Sequence, residues 1–314
     1  TGTLLYTTDG TNFQSGAYFG GLPAGDYPVS IEDENNCTAD GGTQTLTQPD
    51  ELVINSENAY DVNTCHGDNS GRIEITATGG TGEIQYSIDD GFTSQTSDTF
   101  EDLYAGEYDI AVIDQNSCTV KGSSLTINEP PLLQITDTDT SHITGCYGDA
   151  TGEIIITAAG GTAPLQYSID SGDNFQGSGT FQNLAAGTYQ VIVKDNNGCE
   201  KIGGNYFLEQ PDKLIADNAS TNDVNECYGD HTGSITMIAY GGTGDLEYSV
   251  DNGTTYDSDN IAAGLPAGTY YAKVRDQNNC TADFTQTLVI NQPEEVVILT
   301  ETPTDPTCYG TASG

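Results

Sequence analysis

Positive charge is nearly absent from this sequence. Seven Lys and Arg stand against 47 Asp and Glu in 314 residues, a formal net charge of −40. That excludes a nucleic-acid partner, because phosphate binding needs a basic face, and it disfavours an anionic membrane surface. No apolar run approaches the ~18–20 residues of a membrane span, so no membrane insertion is expected in this segment. No Cys-x-x-Cys occurs, and His66, His142 and His231 form no cluster, so a zinc site fails on spacing. No stretch matches the EF-hand loop, no pattern reads as an amphipathic helix, and no signal peptide is visible. The sequence opens at Thr1-Gly2, which matches Thr81-Gly82, and closes at Cys308 to Gly314, which matches Cys227 to Gly233. Both ends cut through a unit, so it reads as a segment of a longer protein.

What is present is repetition. Cys65, Cys146, Cys227 and Cys308 are each 81 residues apart, and so are Cys37, Cys118, Cys199 and Cys280. A fixed period of this kind decides the architecture first. Gln48-Pro49, Glu129-Pro130, Gln210-Pro211 and Gln292-Pro293 recur at the unit ends. Proline lacks a donor and stiffens the chain, so these dipeptides mark joints. The expected organisation is the C-terminal part of a repeat (1–49), three complete repeats (50–130, 131–211 and 212–293) and the N-terminal part of another (294–314). Short Pro-containing joints and like charge on successive units predict a stiff rod.

Within a unit the apolar period is two. Ile154, Ile156 and Ala158 alternate with Ile155 and Thr157; Leu165, Tyr167 and Ile169 with Gln166, Ser168 and Asp170; Tyr189, Val191 and Val193 with Gln190, Ile192 and Lys194. That is the pattern of half-buried strands, punctuated by turns at Gly160-Gly161-Thr162, Asp170-Ser171-Gly172 and Asn196-Asn197-Gly198. The fold class is therefore all-β, a tandem array of immunoglobulin-like antiparallel β-sandwich repeats with six or seven strands each. The charges are interspersed and ride on this periodicity, which argues against disorder. Leu-x-Ala-Gly-x-Tyr recurs at Tyr27, Tyr108, Tyr189 and Tyr270. It resembles the tyrosine corner, in which the phenol returns its hydroxyl to nearby backbone.

Two Cys per repeat in a small unit read as disulfides in an oxidising compartment. The expected pairs are Cys65–Cys118, Cys146–Cys199 and Cys227–Cys280, which keep each repeat self-contained. One difficulty keeps alternatives open. The loop before the second strand and the loop after the sixth lie at opposite ends of an immunoglobulin sandwich, whereas bridged Cα atoms must lie within about 7 Å. Pairing across a joint (Cys118–Cys146) or between neighbouring repeats (Cys65–Cys199) would avoid it.

The composite Cys-Tyr-Gly-Asp-x-Thr-Gly-x-Ile, Gly-Gly-Thr, Tyr-Ser-Ile-Asp, Leu-x-Ala-Gly-x-Tyr and Asp-x-Asn-x-Cys resembles the SprB-type repeat of giant surface adhesins of gliding bacteria. The resemblance covers the whole chain. It implies export by the type IX secretion route, a cell-surface filament, and a role in gliding motility or adhesion. His66 in place of Tyr and Thr311 in place of Asp depart from the pattern.

The recurrent polar residues are acids: Asp68, Asp149 and Asp230; Asp89, Asp170 and Asp251; Asp33, Asp114, Asp195 and Asp276. Asp and Asn could ligate calcium, but they equally hydrogen-bond their own backbone in turns, and the turn reading is preferred. No cofactor is expected. No Ser-His-Asp or Cys-His set recurs at consistent spacing, and no candidate is unique to one copy, so catalysis is not expected. Lys121, Lys194, Lys201, Lys213 and Lys273 share no position common to all repeats, which argues against Lys–Asn isopeptide cross-links. The leading reading is a non-catalytic stalk of an extracellular adhesin, with neighbouring repeats as partners and external surfaces or polysaccharide engaged through other regions. The alternatives are a calcium-dependent or glycan-binding array and an ancillary region of a secreted enzyme.

Overall fold

The structure is a computed structural model that describes residues 2–304 together with 309 and 310. Cys308 and Thr311 lie outside the described residues. All regular structure within them is β. The chain divides into two compact units, residues 1–132 with 160–162, and residues 133–159 with 163–314.

The first unit opens with a three-stranded antiparallel sheet of β1 (Leu5–Thr7), β2 (Gly25–Glu32) and β3 (Thr38–Leu46). It continues with β4 (Val53–Tyr60), β5 (Gly71–Thr78), β6 (Gln85–Ser87), β7 (Thr99–Leu103), β8 (Gly106–Ile113) and β9 (Thr119–Ile127). These six form two sheets, ordered β4-β5-β7 and β6-β8-β9. Ile73 and Ile75 from one sheet meet Ile110, Val112 and Ile127 from the other, with Leu52 and Val62 closing the core. This is the A-B-E and C-F-G arrangement of an immunoglobulin-like sandwich.

The second unit contains two further sandwiches. In one, β10 (Gln134–Ser141), β11 (Gly152–Ala159) and β13 (Thr180–Leu184) face β12 (Gln166–Ser168), β14 (Gly187–Lys194) and β15 (Glu200–Leu208). Its core holds Ile154, Ile156, Val191, Val193 and Leu208. In the other, β16 (Asp212–Asn222), β17 (Gly233–Gly242) and β19 (Ile261–Leu265) form one sheet. The opposite sheet is broken into β18 (Glu247–Ser249), β20 (Gly268–Tyr270), β21 (Lys273–Arg275), β22 (Thr281–Asp283) and β23 (Leu288–Ile290). Phe284 bridges the break through its N–H to the Ala272 carbonyl at 3.1 Å.

Strict alternation describes β11, where Ile154 and Ile156 are buried and Ile155 is exposed. It fails in two expected places. Ile192, expected outward, is buried between Val191 and Val193, and the β14–β15 register shifts beside it between Gln190 and Ile192. Ser168, also expected outward, is fully buried. One turn accounts for both. Residues 170–174 fold back over the outer face of the sheet, where Asp170 forms a parallel bridge with Gln190 and Gly172 packs near Ile192 Cδ1. Ala111 is buried in the same way beneath Asp89↔Asp109.

The Gly of the Thr-Gly motif begins the second strand at a point of close approach. A Cβ on Gly152 would lie 2.7 Å from Leu208 Cδ1 and 2.9 Å from the Leu184 carbonyl oxygen. Gly71 and Gly233 face the same two positions, Leu103 and Ile127, and Leu265 and Ile290. The backbone oxygen cannot retreat without breaking the sheet. Gly152→Ala is therefore expected to destabilise by about 1–3 kcal/mol, the usual cost of overpacking, measured by denaturant unfolding. An unchanged midpoint would show that the strands part freely there.

Candidate functional site

The recurrent acids sit in three turns, each built the same way in successive repeats. In the first, Ser168 donates its hydroxyl to Asp170 Oδ1 at 2.6 Å and accepts the N–H groups of Asp170 and Gly172. Asp170 then accepts the N–H and side-chain amide of Asn174. Ser87–Asp89–Thr93 and Ser249–Asp251–Thr255 repeat the geometry. The buried hydroxyl has no water to turn to, so the carboxylate supplies the partner it requires.

The second turn carries the later cysteine of each repeat. Asp276 is buried. Its Oδ1 accepts the N–H groups of Asn278 and Cys280, both at 2.9 Å, and its Oδ2 accepts the Thr243 N–H at 2.8 Å. One carboxylate thereby fixes the β21–β22 hairpin and ties it to the Gly-Gly-Thr loop. Asp114 does the same with Asn116, Cys118 and Thr81. Gly241 of that loop lies against the Lys213 carbonyl, so the hairpin occupies the end of the sandwich where the repeat begins.

The third turn carries the earlier cysteine. Cys146 donates its N–H to Asp149 Oδ2 at 2.6 Å, and Asp149 returns its own N–H to the Cys146 carbonyl. Gly148 adopts φ +87°, a conformation natural to glycine, and directs its N–H to Gln210 Oε1 at 2.9 Å. Gly229 and Gln292 make the same bond. In the sequence the residue before each joint proline marks only a boundary; in the structure its side chain clamps the cysteine turn to the end where the repeat finishes. In the first unit Glu129 takes this place. It accepts the Gly67 N–H at 2.5 Å and lies 3.2 Å from His66 Nδ1, so the His66 departure comes with its own acidic partner.

The two cysteines of a repeat therefore lie at opposite ends. Cys146, at the finishing end of its repeat, bonds Cys280 at the starting end of the next, with a Cα–Cα distance of 5.6 Å. This corrects the expected Cys146–Cys199 and Cys227–Cys280 pairs, because a sandwich holds its own pair too far apart to bridge. Cys118 and Cys227 are free thiols, so the expected Cys65–Cys118 pair is corrected too; Cys65 and Cys199 are disulfide-bonded. Asn278 reinforces the joint, donating Nδ2–H to the carbonyls of Thr144 at 2.8 Å and Gly145 at 3.0 Å. A cavity of about 210 Å³ adjoins the bond, lined by Tyr147, Asp212, Lys213 and Asp276.

Tyr27, Tyr108, Tyr189 and Tyr270 each donate their hydroxyl to the carbonyl four residues upstream, at 2.7 to 2.9 Å. Among the described residues no group of three or more His, Cys, Asp or Glu is arranged to hold a metal ion, and no helix is long and apolar enough to cross a membrane.

The SprB repeat family model matches residues 63–93 and 145–174, the stretches that run from the cysteine turn into the Ser-x-Asp turn. A search of curated proteins found no match. Among solved structures the chain is similar to Sidekick-1 immunoglobulin domains 1–5, at 13% identity over 93% of this chain and 74% of that one, TM-score 0.31. It is also similar to protocadherin gammaB7 EC3–6, at 12% over 84% of each chain, TM-score 0.30. A third is the BSP domain of a biofilm-associated protein, at 10% over 86% and 75%, TM-score 0.26.

The turn carboxylates set an acid limit. The Cys65 N–H holds Asp68 below its ordinary value, the Thr93 hydroxyl does so for Asp89, and the Ser168 hydroxyl holds Asp170 at about 2. Burial pushes Asp114 up, but the N–H groups of Cys118, Thr81 and Asn116 outweigh it and leave it lowered. A lowered carboxyl stabilises the fold fully above its unfolded value of about 4, and that stability is lost as pH falls through the folded value. Net charge acts the other way, since partial protonation relieves the repulsion of −40. The melting temperature should hold or rise from pH 7 to about 5, then fall steeply between about pH 4 and pH 2. A melting temperature still level at pH 2 would contradict this.

Proposed function

We propose that this segment is a non-catalytic structural region of a cell-surface adhesin, with its repeats supplying reach and bearing load during attachment or gliding. The observation that carries the reading is the pair of SprB repeats set in immunoglobulin-like sandwiches whose recurrent acids are engaged by their own turns. Disulfides at the repeat ends support an oxidising, extracellular setting. The engaged carboxylate oxygens support a fold that needs no calcium, and the partners of each repeat are its neighbours along the chain. Export by the type IX route and a part in gliding belong to the same proposal.

Antibody against this segment, applied to intact cells of the source organism, tests it. Labelling without permeabilisation, together with weaker surface attachment or slower gliding when the coding region is deleted, is expected. Signal seen only after lysis, or normal attachment and gliding in the deletion strain, would overturn the reading.

A further inference from the structure

We propose that the Cys146–Cys280 bond is a mechanical lock that withholds the interiors of two consecutive sandwiches from extension, and that thiol reduction opens it. The inference stands on the covalent geometry of the joint and does not depend on the adhesin reading.

The joint between these repeats is attached at two points. One is the peptide chain through Gln210-Pro211; the other is the disulfide, with Asn278 seated on the Thr144 and Gly145 carbonyls beside it. Tension entering from the N-terminal side runs along β10 to Cys146. Once β10 detaches, the disulfide carries it across to Cys280 and out through β22 and β23. The chain between the cysteines, 134 positions apart, is then a closed loop that bears no load. That loop contains β11 to β21, and with them Ile154, Ile156, Val191, Ile235, Met237 and Val274. Only Leu133 and Ile143 of the first core lie on the loaded side before Cys146. Each sandwich can thus be pulled open at its margins while most of its core stays unextended. Strand hydrogen bonds and core packing would otherwise be the resistance, and a covalent bond outlasts them.

Both cysteines are half-buried rather than enclosed, so a small thiol reaches the bond. In the opening step a dithiol gives up two hydrogens and becomes a disulfide, while the Cys146–Cys280 bond breaks and each sulfur takes one hydrogen.

Single-molecule pulling tests the lock. Cys65 and Cys199 are first replaced by Ser in the full chain, so that no second disulfide shares the load path. Adding Cys146→Ser should then lengthen the fully extended chain by about 480 Å, from about 133 released residues at about 3.6 Å each. Reducing the parent with a dithiol in the same instrument should give the same gain. Total extended length at high force does not depend on how stably a variant folds, so a weakened sandwich does not blur the result. Equal lengths before and after the substitution, or before and after reduction, would overturn the proposal.

Discussion

A single buried carboxylate sets where the joint can close. Asp276 accepts the N–H groups of Asn278, Cys280 and Thr243. These bonds rigidify the hairpin, hold it to the Gly-Gly-Thr loop and aim Cys280 out of the starting end of its sandwich. Each N–H left unpaired in a buried turn would cost about 1–3 kcal/mol. The same acid therefore satisfies the turn and positions the cysteine. With Cys146 presented at the finishing end of the preceding sandwich by Asp149 and Gln210, the bond between repeats follows from two ordinary turns.

The economy suits units of this size. A repeat of about 80 residues buries only about 60% of the surface its unfolded chain exposes, and each core is built from about seven to ten well-buried side chains. Small domains usually add staples to such a core. Here the staples are recurrent: a tyrosine hydroxyl on the backbone, a buried serine held by an aspartate, and a carboxylate in each cysteine turn. The acidity that gives the chain its charge is thus partly internal architecture, because the acids that recur at fixed positions are the ones that hold turns.

Much of this was legible in the sequence, because it is local. The 81-residue period, the alternating strands around Ile154 and Ile156, and the Asp-Asn turns depend on residues near one another. The cysteine partners were not legible in the same way. Pairing Cys146 requires knowing which end of the sandwich each loop reaches, a property of the whole topology; the opposite-ends argument raised the difficulty without choosing the partner. Ile192 and Ser168 escaped for a related reason. Their outward faces are covered by the turn at 170–174, and period-two patterning does not show which outer face a turn folds over. The interruption between β20 and β21, and between β22 and β23, leaves no mark in the apolar pattern of that repeat.

The joint is defined by its covalent register, and peptide mapping of the unreduced, alkylated protein reads it directly. The geometry predicts a linked peptide pair joining Cys146 to Cys280, with Cys118 and Cys227 recovered alkylated. A linked pair joining Cys146 to Cys199, or Cys227 to Cys280, would contradict it, since either would require the two ends of one sandwich to meet.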